Sequence, residues 1–200
     1  NQDFVLKFCV LLANSQVHDQ ESFSLDNCSF WISLIRFFGP PMMELMIDIA
    51  TSFLDKEPKI AYLFTASEMI AAVVSSTIYF KFSDFSIIFD RLFNFLKAVL
   101  CGEECDSSFS WFFVFYGVLS DADPLRFFWL FDFLKDLHPD HDTKVISKYI
   151  RQDAEICLIL LFLANRNLDL TKEILNSRLP IYFNPDNLET TRSSVIQIIL

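Results

Sequence analysis

Apolar residues along this chain come in blocks of about 12 to 20, separated by short polar corners. Blocks of that length, bounded by turn residues, are helical in period and too long for strands. A first helix is predicted over residues 3–14, followed by a polar loop from His18 to Asn27. Further helices are predicted over 28–38, 42–54, 59–79, 84–100, 107–119, 124–137, 143–165, 169–178 and 187–200. The corners carry their own signals. Gly39-Pro40-Pro41 stops one helix, because proline cannot continue it. Asp55-Lys56-Glu57-Pro58 forms the next corner. At Asp121-Ala122-Asp123-Pro124, Asp123 is placed as N-cap and Pro124 as the first helical residue. Ser83-Asp84 and Asp142-Thr143 precede helical runs, and Asp169 or Thr171 followed by Glu173 is placed as a further cap.

Paired runs repeat about every 40 residues, the period of HEAT and armadillo arrays. The expected fold is therefore all-α, a HEAT/armadillo-like α-solenoid segment of roughly eleven helices. Residues 1–200 form one such segment without an internal domain boundary, in helix pairs over 1–54, 59–100, 107–137 and 143–178, with 187–200 incomplete. A closed bundle is the structural alternative, and a less natural one for so many helices. The chain has no initiator Met and stops inside the apolar pattern Gln197-Ile198-Ile199-Leu200. It is expected to be part of a longer chain, exposing apolar surface and aggregating when isolated.

Composition narrows the function. Of 200 residues 24 are Phe, whereas only Gly39, Gly102 and Gly117 are glycine, so a Gly-rich phosphate loop cannot be built. Sixteen basic residues against 26 acidic give a net charge of −10 without any basic run, which disfavours direct binding to nucleic acid. The longest charge-free runs, Ser107 to Ser120 and Met69 to Phe80, fall short of the roughly 18–20 apolar residues of a membrane span, so no membrane contact is expected. Cys9, Cys28, Cys101, Cys105 and Cys157 are odd in number and scattered, as suits free thiols in a reducing compartment. Cys101 and Cys105 could share a helix face, but two further zinc ligands are missing nearby.

Candidate chemistry is sparse. His138-Pro139-Asp140-His141-Asp142 is the one cluster of His and carboxylates, and a polar corner with an Asp N-cap explains it. His18 lies in a polar loop. No nucleophile elbow occurs, so no catalytic, cofactor-binding or metal residue is expected. Lys144, Lys148 and Arg151 share one helix face and could receive an anion or an acidic partner patch, with a solvated face as the default. The aromatic stripes read as core, with Trp129 buried among them.

These residues also carry a resemblance. Asp123-Pro124-x-Arg126-x-Phe128-Trp129-Leu130-Phe131-Asp132-x-Leu134 resembles the Asp-Pro-Arg-Lys-Leu-His-Trp-Leu-Phe-Glu pattern of the giant HEAT-repeat proteasome activators, the proteasome activator complex subunit 4 and bleomycin-resistance protein type. Ala66-Ser67-Glu68-Met69-Ile70-Ala71-Ala72-Val73-Val74 is similar to that family's Ala-Ala-Glu-Ile-Ile-Ala-Gly-Leu-Ile. Ser110-Trp111 falls where the family has Asn-Asp-Trp. Phe30 to Phe38 resembles its Phe-rich helix, and Thr191-Arg192-Ser193-Ser194-Val195 its Arg-Glu-Arg-Ile-Gly-Ser-Val run. The matches are collinear and cover most of the chain. One departure stands out: the family's Arg-Gly-Ser-Lys-His-Trp stretch is here Ser75-Ser76-Thr77-Ile78-Tyr79-Phe80. The chain resembles a divergent member, from the C-terminal third.

The resemblance implies a non-catalytic regulator that caps the 20S core particle without ATP, opens its gate and promotes peptide and protein degradation. It further implies roles in DNA repair and in degradation of acetylated histones, and residence in nucleus and cytoplasm. The gate-opening tail and the histone-binding region would lie beyond Leu200, leaving this segment as dome scaffold. The family-matching structural residues are Glu68, Trp111, Asp123, Pro124, Arg126, Trp129, Phe131 and Arg192. An unrelated α-solenoid adaptor or transport-type scaffold that binds protein partners is the alternative.

Overall fold

The computed structural model describes residues 2–17, 22–57, 59–101, 110–137 and 143–182. Every regular element among them is helical. Helix α1 spans Gln2–Val17, α2 Leu25–Phe38, α3 Pro40–Phe53 and α4 Lys59–Ser76. Short helices α5 (Phe82–Phe85), α6 (Phe89–Cys101), α7 (Trp111–Val114), α8 (Tyr116–Leu119) and α9 (Trp129–Lys135) follow. Long helices α10 (Thr143–Leu163) and α11 (Leu168–Tyr182) close the described chain.

Helix α2 starts three residues ahead of its apolar block. Ser24 is extended, and its hydroxyl accepts the Asn27 N–H at 3.3 Å, so Leu25, Asp26 and Asn27 enter the helix under a regular N-cap. Gly39, at φ 81°, turns the chain between α2 and α3, a conformation glycine adopts at no steric cost. Pro40 and Pro41 then begin α3 rather than merely ending α2, since a proline at the first helical positions loses no hydrogen bond.

Helix α4 is the axis of the packing. Residues Phe64 to Val74 are buried without interruption, including Thr65, Ser67 and Glu68. Helices α1, α2 and α3 pack along it, as do α7 and α8. A helix apolar on all sides is one enclosed by neighbours. Ile60–Tyr79 is, by length and composition, long and apolar enough to cross a membrane, which a count of charge-free residues missed because Glu68 interrupts it. In this fold 78% of its apolar window is buried. Gly117 permits the close approach of α8: a Cβ there would lie 2.0 Å from the Ser75 hydroxyl and 2.8 Å from its Cβ.

Several predicted helices are broken. The 84–100 run becomes α5, a 3₁₀ turn at Ser86–Ile88 and α6, with Ser83 and Asp84 inside α5 rather than ahead of it. The 107–119 run becomes α7 and α8, parted at Phe115, whose φ and ψ of −103° and 17° leave the helical region. The 124–137 run opens as a 3₁₀ turn, Pro124–Phe127, and only then becomes α9. Apolar composition cannot distinguish one long helix from two short ones bent around a core. At α11 the cap is Asn167, not Asp169 or Thr171: its side-chain oxygen accepts the N–H groups of Asp169 at 3.2 Å and Leu170 at 3.1 Å. Asp142 and the predicted helix over 187–200 lie outside the described residues.

Aromatic rings knit α5 and α6 to α9. Trp129 stacks on Phe89 with centroids 4.9 Å apart and planes within 7°, and Phe85 and Phe133 close around it. Trp129, the first residue of α9, is half-buried rather than fully enclosed.

Candidate functional site

The long helices α4 and α10 each place a glutamate in the interior, and each glutamate closes the start of another helix. Glu68 is fully buried. Its carboxylate accepts the Ser24 N–H at 2.5 Å and the Asn27 side-chain amide at 3.1 Å. Glu155 is 1% exposed and accepts the Trp111 N–H at 2.7 Å and the Ser110 hydroxyl at 3.1 Å. The two starts are built alike. In both a serine is N-cap, with Ser110 accepting the Phe112 N–H at 3.2 Å as Ser24 accepts that of Asn27. The free N–H groups of a helix start need acceptors, and carboxylates suit the positive end of the helix dipole.

A complementary device closes a helix end. Arg178 on α11 pairs with Asp153 on α10 at 2.6 Å and reaches the carbonyls of Leu134 at 3.5 Å and Lys135 at 3.4 Å, at the end of α9. On the outside, Arg91 of α6 holds Asp48 of α3 at 2.9 Å.

Several of the polar contacts between helices recur at a similar sequence separation. Ser24 and Glu68 are 44 positions apart, Asp48 and Arg91 43, Trp111 and Glu155 44, Leu134 and Arg178 44. A structure in which each segment meets the one about 44 residues on is an array of helical repeats of the HEAT length.

Glu68 and Trp111, both singled out from sequence, are partners in these caps. Asp123 accepts the Leu125 N–H at 3.3 Å, and Pro124 is the first residue of the turn it caps. Arg126 is exposed and pairs with Asp121 at 3.4 Å. Phe131 is buried and stacks on Phe128. Arg192, His18 and the cluster His138 to Asp142 lie outside the described residues. Among the described residues no group of three His, Cys, Asp or Glu is placed to hold a metal. Cys9 and Cys28 are buried free thiols, and Cys157 is buried and in no disulfide; Cys105 and the side chain of Cys101 lie outside the described residues. Burial, reinforced by the Glu68 charge, pushes the Cys28 thiol up to about 12, so it is no nucleophile. Arg151 does not meet solvent as a free cation: it is drawn in to Glu155 at 3.2 Å. The side chains of Lys144 and Lys148 lie outside the described residues.

Large apolar residues remain on the surface. Phe4, Phe8 and Leu11 form an exposed stripe on α1, and Phe37 is 81% exposed.

A family model described as "Proteasome activator complex subunit 4-like, HEAT repeat-like" matches residues 1–151. The chain belongs to that family. No curated protein and no solved structure matches it. For a subunit 4-like HEAT segment the helical array is the expected architecture, and the family is one of regulators rather than catalysts. The contacts of α10 and α11 carry the array past the matched residues, to Arg178. Sequence reasoning did not single out Glu155, Asp153 or Arg178. Charged residues default to solvent, and the available signal was a polar turn, Arg151-Gln152-Asp153-Ala154-Glu155, ahead of the apolar run Ile156 to Leu163.

Proposed function

We propose that this segment is wall scaffold in an ATP-independent proteasome activator, one that caps the 20S core particle and promotes gate opening and degradation of peptides and proteins. The observation that carries the reading is the family match over residues 1–151. The recurring 43- to 45-residue contacts support it, because they belong to a segment that extends an array rather than one that encloses a reaction site. The buried carboxylates support it as well. Glu68 and Glu155 are both occupied by the starts of other helices.

On this reading the segment itself is non-catalytic, works in nucleus and cytoplasm, and needs no cofactor. Contacts with acetylated histones and roles in DNA repair belong to other parts of the intact protein. The test is co-sedimentation of the intact protein with purified latent core particle, in the absence of ATP. Co-migration at near-stoichiometric ratio is expected. Separate migration at micromolar concentrations of both would overturn the activator reading and favour a solenoid adaptor with other partners.

A further inference from the structure

The turn Arg151–Glu155 concentrates charge where apolar packing alone would hold α10. Asp153 and Arg178 are 5% and 2% exposed, and Glu155 is 1% exposed. Two positive and two negative side chains form two pairs, Arg151 with Glu155 and Arg178 with Asp153. Each pair also reaches a helix end on another segment. Glu155 closes the start of α7, and Arg178 closes the end of α9. The signs follow the helix dipole, an anion at the amide end and a cation at the carbonyl end.

Stability does not account for this arrangement. Replacing a buried ion pair by well-packed apolar residues is often neutral or stabilising. Hydrophobic burial, however, is non-directional. Apolar faces of α7 and α9 could slide or rotate against α10 at little cost. A directed bond to each helix end forbids both motions.

We propose that this quartet is a latch that fixes the angle between the α10–α11 hairpin and the unit formed by residues 110–137. The curvature of a helical array follows from the rotation between successive repeats. The latch therefore sets the curvature at this joint, at the end of the stretch that matches the family. The inference rests on the array alone and stands whether or not the segment caps a proteasome.

The test is hydrogen exchange by mass spectrometry together with small-angle scattering on the double variant Asp153→Leu/Arg178→Met, which removes both partners of the pair. Exchange in peptides covering 129–137 should rise about tenfold, as expected for losing a hydrogen-bonded charge at a helix end. Peptides from 61–74 should be unchanged, and the scattering should show a broader distribution of maximum dimensions. Unchanged exchange at 129–137, or equal acceleration everywhere, would overturn the latch. Should the double variant not fold, Arg178→Lys keeps the charge but cannot span Asp153 and both carbonyls. The same selective rise, smaller in size, is then expected, and its absence overturns the proposal.

Discussion

Replacing Glu68 with alanine should cost this fold about 3 kcal/mol. The carboxylate is fully buried and accepts from Ser24 N–H and the Asn27 amide, both half-buried. Removing it leaves two donors without their acceptor, at roughly 1 kcal/mol each for groups that water partly reaches. The side-chain methylenes vacate a packed position, which adds about 1 kcal/mol more. In a chain of 200 residues each kcal/mol moves the melting temperature by about 2–4 °C, so a fall of roughly 6–12 °C is expected. Glu68→Gln keeps one oxygen for the Ser24 N–H and should lose only about 1 kcal/mol. The assay is thermal and urea unfolding followed by circular dichroism, with both variants beside wild type. A Glu68→Ala melting temperature within about 2 °C of wild type would refute the cap, because the two donors would then be satisfied without it.

Other expectations follow from single contacts. Gly117→Ala should cost about 1–3 kcal/mol by forcing α8 off Ser75, and Ser75→Gly should recover most of it; additive losses in urea unfolding would mean the two positions do not touch. Trp129→Ala should cost about 3 kcal/mol, the lower end for an aromatic truncation because the ring is half-buried; calorimetry showing under about 1 kcal/mol would contradict its stacking on Phe89. Burial is the largest influence on Glu155 and raises its carboxyl above the usual range, outweighing the Trp111 N–H, Arg151 and Ser110, which lower it. A folded-state value above the unfolded one adds stability as pH falls through it and removes that stability as pH rises. The stability of wild type relative to Glu155→Gln should therefore improve as pH falls from neutrality toward the ordinary glutamate value of 4.5 in parallel urea titrations, and a difference independent of pH would contradict the buried placement.

The all-α class and the repeat length were legible because they depend on the period of apolar blocks and on corner residues. Pro124 and Asp123 mark their corner by local chemistry that survives any tertiary context. What was not legible depends on neighbours distant in sequence. The break at Phe115 serves the packing of α7 and α8 against α4, and nothing within 107–119 announces it. Trp129 reads as core by spacing, yet its ring packs where α5 ends and α6 begins. Asn167 outcompetes Asp169 as a cap because α11 begins at Leu168, a choice of one or two residues that propensity does not resolve. Glu68 was visible as part of a family pattern but not as a cap, since its partner Ser24 is 44 residues away. Glu155 and Arg178 were invisible for the same reason: their roles appear only when repeats are stacked.

The measurement that tests the central claim most directly is peptide hydrolysis by purified latent 20S core particle, with and without the intact protein and without ATP. The scaffold reading predicts that hydrolysis rises when the protein is added, and that Glu68→Ala lowers this stimulation only as far as it lowers the folded fraction. No stimulation by folded protein, at concentrations where the core particle is saturable by other activators, would contradict the assignment.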